Sequence, residues 1–82
     1  EPMKVVMTAY KDTGKFYEDA IVDMPEDICL HHTERIARIA VQHVPMLTGG
    51  YVHIRLTDEE AAKPGANFFN HLFPVEVMKS AL

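Results

Sequence analysis

Apolar positions alternate with polar ones from the start of the chain. In MKVVMTAY, Met3 to Tyr10, the residues Val5, Met7 and Ala9 fall on one side and Val6, Thr8 and Tyr10 on the other. That period of two predicts a strand. KDTGK follows, and Gly14 supplies the positive φ that a tight turn often demands. Lys15 to Met24 predicts a second strand, with Phe16, Ala20, Val22 and Met24 sharing a face that Glu18 interrupts. The interruption implies either a bulge or a strand edge. Two such strands around a short glycine-containing turn form a β-hairpin.

The period changes after Pro25, which ends the strand and pre-sets φ for a first helical position. Glu26 and Asp27 put negative charge at the positive end of a helix. The spacing predicts helix to about Val44, either as one helix or as a short turn and then a main helix, for which Thr33 offers a second N-cap. Ile28, Ile36, Ile39, Ala40, His43 and Val44 form the stripe expected to pack on the sheet. Glu34 and Arg38 are four apart, in the order that favours pairing on the exposed side. Pro45 closes the helix and Gly49-Gly50 provide a turn.

YVHIRLT, Tyr51 to Thr57, is the cleanest strand, with Val52, Ile54 and Leu56 alternating against Tyr51, His53, Arg55 and Thr57. DEEAAKPGAN reads as an exposed loop. NFFNHL, Asn67 to Leu72, reads as a helical turn or an irregular hydrophobic arm, and Val75 to Lys79 as a short fourth strand. The expected fold is α+β: a small antiparallel sheet in the element order β-β-α-β, one main helix on one face, and an aromatic-rich C-terminal tail. A right-handed crossover gives the strand order 2-1-3. All 82 residues form one domain, with residues 3–57 as the core and 58–82 as a C-terminal arm.

This layout leaves a second sheet face carrying Val6, Tyr10, Tyr17, Ile21 and Tyr51, too apolar to stand bare in water. Either the tail, with Phe68, Phe69 and Phe73, folds over it, or another chain does. An arm behind a loop containing Pro64 and Gly65 closes the core or reaches into a partner.

Composition narrows the partners. Hydrophobic residues make up 48% of the chain, which favours a folded domain over a disordered one. The net charge of −4, with eight scattered basic residues, disfavours nucleic acid, whose binding rests on clustered Lys and Arg. That argument outweighs the likeness of Tyr51, His53 and Arg55 to a base-stacking sheet. No apolar run approaches the roughly 20 residues of a membrane span, so no membrane partner is expected. One cysteine permits no internal disulfide, and no signal-peptide pattern is present, so a reducing cytoplasm is the expected compartment. Glu1 and Pro2 precede the first Met and read as additions to a natural start at Met3.

The stretch CLHHTERIARIAVQHV concentrates the candidate chemistry. On a helix Cys29 and His32 are neighbours, and together with a distant histidine they are the candidate metal ligands. His43 shares their side but lies about 16 Å along the axis from His32, too far for one ion. A structural zinc wants four ligands, and this spacing matches none of the familiar patterns. The plainer reading makes Cys29 a small buried residue, His31 and His32 exposed, and His43 a partly buried core residue. No motif surrounds Cys29 to make it a nucleophile, and Asp58-Glu59-Glu60 lacks the ligand spacing of a calcium loop. TGG at 48–50 has no following Lys-Ser/Thr and is not a phosphate loop. Neither catalysis nor a cofactor is expected.

VVMTAYKDTGKFYEDAIVDMPEDI followed by GYVHIRL resembles a type of small phage-encoded protein of uncharacterised function. The shared features are Thr13, Gly14, Lys15 and Phe16 in the hairpin turn, then Pro25, then the strand from Tyr51 to Leu56. The likeness covers Met3 to Thr57 and brings no site residues with it. It implies an accessory role in the host cytoplasm, binding and modulating a host protein. The sequence therefore reads as a non-enzymatic protein-interaction module, whose partner is either a host protein or a second copy of itself in a homodimer. Its expected contact surface is Tyr10, Tyr17, Ile21, Tyr51, His53, Phe68, Phe69 and Phe73. The alternative is a small metal- or ligand-binding protein using Cys29 and His32.

Overall fold

A computed structural model describes residues 2–43, 48–66 and 68–80. The chain runs β1 (Pro2–Tyr10), β2 (Phe16–Pro25), α1 (Glu26–His31), α2 (Thr33–His43), β3 (Tyr51–Leu56), α3 (Asp58–Ala61), β4 (Asn70–Pro74) and α4 (Val75–Ser80). The strands form one antiparallel sheet in the order β2-β1-β3-β4. The α+β class and the neighbours of β1 are as the sequence predicts, and β4 extends the sheet beyond β3.

In the hairpin, Gly14 sits at φ 82° and donates its N–H to the Lys11 carbonyl at 2.8 Å. Pairing runs in step from Pro2↔Pro25 to Ala9↔Glu18, then slips to Tyr10↔Phe16. Tyr17 is the extra residue, so the interruption at Glu18 has both expected causes: a bulge, and a strand at the sheet edge. The bulge also turns Tyr17, half-buried, against the core rather than onto the second face that alternation assigns it.

The helical segment divides near the point the second form allows, but the expected short turn is itself a six-residue helix. Pro25 is the last residue of β2 and precedes α1 rather than opening it. The break is at His32, whose φ of −127° and ψ of 70° leave the helical region. Its physical reason lies in the buried residues, Ile28 and Cys29 in α1 and Ile36, Ala37, Ala40 and Val41 in α2. At 100° per residue, one unbroken helix would aim these two groups roughly 100° apart. The break lets both face the sheet. The apolar stripe is accordingly rotated from the expected one: Ala37 and Val41 are buried, Ile39 is half-buried and His43 is exposed. Val44 and Pro45 lie outside the described residues.

After β3, whose Val52, Ile54 and Leu56 are buried as expected, the structure departs from the sequence reading. DEEA is a short helix rather than a loop, and the Thr57 hydroxyl accepts from the Glu60 N–H at 3.3 Å to cap it. Asn70–Pro74 is an edge strand rather than a helical turn or loose arm, with Pro74 at its end where an edge tolerates a missing N–H. Val75–Ser80 is a helix rather than a strand, with Val75 and Met78 buried three apart. The described residues of the expected arm are thus built into the domain: β4 is hydrogen-bonded to β3, and Val75 and Met78 belong to the core with Met7, Met24, Ile36 and Ile54.

Candidate interaction surface

The buried residues of the sheet face the helices, and the register places the opposite side chains in rows across the strands. Phe16, Tyr10, Tyr51 and Pro74 form one row spanning all four strands. Asp19, Thr8, His53 and Leu72 form the next, and Ile21, Val6, Arg55 and Asn70 a third. Lys4 and Asp23 stand beyond them. No described element covers this outer face. Phe16 is 59%, Ile21 66% and Leu72 63% exposed.

The rows are held by side-chain contacts. The Tyr10 and Tyr51 rings stack with centroids 5.0 Å apart and planes 24° apart. His53 Nε2 donates to Asn70 Oδ1 at 2.8 Å, joining β3 to β4. Lys4 Nζ donates to Asp23 Oδ1 at 3.0 Å, and that hydrogen bond and the carboxylate charge raise the lysine above its ordinary pKa. Arg55 Nη1 donates to the Leu56 carbonyl at 3.0 Å and lies 3.5 Å from Asp58 Oδ1. Between Lys4 and Arg55 an open depression of about 390 Å³ is floored by Val6 and Ile21. It pairs its cations with carboxylates already present, so it offers an apolar seat rather than a charged one.

The expected contact residues divide. Tyr10, Ile21, Tyr51 and His53 lie on the outer face. Tyr17 turns to the core at the bulge, and Phe69 and Phe73 pack there too, on either side of His71 at ring distances of 5.2 and 5.7 Å. Phe68 is 72% exposed just before β4. Among the described residues the tail therefore closes the core from the sheet edge and does not fold over the outer face. Phe16 and Leu72 belong on the surface although the sequence reading left them out. Strict alternation places Phe16 on the buried side and the bulge reverses it, while polar Asn70 and His71 hide the strand that carries Leu72. The alternation Phe69, His71, Phe73 against Phe68, Asn70, Leu72 was the available signal.

The two alternative ligands stand in different surroundings. Cys29 is buried, its thiol 4.0 Å from the Met24 carbonyl, and burial pushes its pKa up. His32 is exposed and lies 3.1 Å from Asp27 Oδ2. Among the described residues no three His, Cys, Asp or Glu side chains are grouped to hold a metal ion. No helix among them is long and apolar enough to cross a membrane. No protein-family model, curated protein or solved structure matches the chain.

Proposed function

We propose that this protein is a non-enzymatic protein-interaction module whose working surface is the outer face of its sheet. The observation that carries this reading is the set of apolar side chains on that face, with Phe16 and Leu72 more than half exposed beside the Tyr10–Tyr51 stack and Ile21 more than half exposed opposite Val6. A sheet open to water on one side ordinarily presents polar residues there. Contiguous apolar surface on a small domain marks a contact site. The resemblance to small phage proteins adds a host protein as a class of partner.

The test is a photo-crosslinking amino acid placed at Ile21 on the outer face and, in a separate variant, at Arg35, exposed on α2. Both variants are expressed in bacterial cells. A discrete protein adduct from position 21 and none from position 35 is the expected result. No adduct from position 21, or equal adducts from both, removes the reading.

A further inference from the structure

We propose that the occupant of the outer face is a second copy of this chain, docked sheet to sheet about a two-fold axis. The proposal rests on the interaction-module reading and adds the identity of the partner.

The sheet edges are poor places for copies to join. Edge strand β2 carries Glu18, Asp19 and Asp23, has no basic residue, and is bent by the bulge at Tyr17. Edge strand β4 is five residues long and ends in Pro74. Short, charged, bulged and proline-ended edges resist strand addition. That leaves the face.

The face has the size for it. At about 4.8 Å between strands and 3.3 Å per residue, four strands of these lengths give a footprint of roughly 500 Å² per copy. The pair then buries on the order of 1,000 Å², the minimum for a biological interface and the size of a weak, concentration-dependent one.

The charges suit it as well. Lys4 with Asp23, and Arg55 with Asp58, cancel locally, which leaves Asp19 in the rows and Glu59 in the lining of the depression as the charges that remain. The chain as a whole carries −4. A nearly neutral face on an acidic protein does not repel its own copy and exerts little pull on a strongly charged partner. An axis along the strands lays the Phe16–Tyr10–Tyr51–Pro74 row of one copy on the same row of the other. The sheets then pack in the aligned manner, about 10 Å apart.

Sedimentation equilibrium of the intact chain from about 1 to 500 µM tests the proposal. The expected mass rises with concentration from 9.3 kDa toward twice that value. Ile21→Asp and Leu72→Asp, each at an exposed position and the second set against Asp19 of the other copy, weaken dimerisation about tenfold or more while melting like the wild type in dilute solution, where the dimer is dissociated. The second variant decides the matter if the first fails to fold. A wild-type chain that stays monomeric throughout overturns self-pairing, as do folded variants that dimerise like wild type. A monomeric chain whose position-21 crosslinker captures a protein of another mass overturns self-pairing alone and leaves the interaction module standing.

Discussion

The backbone N–H of Gly50 donates to Asp12 Oδ1 at 2.7 Å, tying the hairpin turn to the start of β3 across 38 positions of sequence. The carbonyl of the same glycine accepts from the Val75 N–H at 2.9 Å, at the head of α4. One residue thus joins three segments at one end of the sheet. Gly50 sits at φ +85°, and a Cβ there would run into the Tyr10 carbonyl. Gly50→Ala is expected to destabilise the fold by more than about 2 kcal/mol, from strain and collision together. Asp12→Ala loses one exposed hydrogen bond and costs about 1 kcal/mol. Urea unfolding of both variants checks the ranking, and a Gly50→Ala protein as stable as Asp12→Ala would contradict it.

The two sides of the sheet should respond differently to truncation. Ile54 is fully buried, so Ile54→Ala costs about 2–5 kcal/mol through lost burial and the cavity left behind. Ile21 is 66% exposed, and Ile21→Ala should stay within about 0.5 kcal/mol in dilute solution, where the proposed dimer dissociates. Denaturant midpoints measured at low protein concentration compare them directly.

His71 Nε2 is buried without a hydrogen-bond partner, and its ring lies between those of Phe69 and Phe73. An unsatisfied buried polar atom costs about 1–3 kcal/mol. His71→Phe keeps a ring in the stack and removes that atom, so the variant should melt at or above the wild-type temperature. A clear drop in thermal melting would show that the imidazole nitrogen has work the geometry does not reveal.

Cys29 should be slow to react in the native protein. It is buried and its pKa is raised, both of which suppress the thiolate. A thiol reagent at neutral pH should label it fully only after denaturation. The raised pKa also sets a direction for stability. Above about pH 8.5 the unfolded chain loses the thiol proton first, so stability falls as pH rises. Cys29→Ala should flatten that alkaline slope in urea titrations.

Acid acts at the other end. Lys63 Nζ donates to Glu60 Oε1 at 3.0 Å and holds that carboxyl below its ordinary pKa. The contribution is present above the unfolded pKa of about 4.3 and is lost as pH falls through the depressed folded value. Lys63→Met should reduce the acid dependence of stability between about pH 5 and 3, which unfolding curves across that range will show.

Local pattern was enough for the front half of the fold. Alternation over Met3–Tyr10 and Tyr51–Leu56 sets their buried faces because a strand has a period of two whatever surrounds it. Glycine at 14 and the acids after Pro25 mark a turn and a helix start for equally local reasons. Thr57-Asp58-Glu59-Glu60 also carried a legible capping pattern. The tertiary structure alone decided that the helix breaks at His32, because the break depends on where the sheet lies relative to two sets of buried residues. It decided that Tyr17 turns inward, because a bulge is a property of two paired strands. It decided that His71 occupies a core-facing position, because Phe69, Phe73 and the free edge of β3 accept a strand there. The candidate surface depends on the same non-local facts. Phe16 and Leu72 are neighbours of the Tyr10–Tyr51 stack only once β2 and β4 take their places at opposite edges of the sheet.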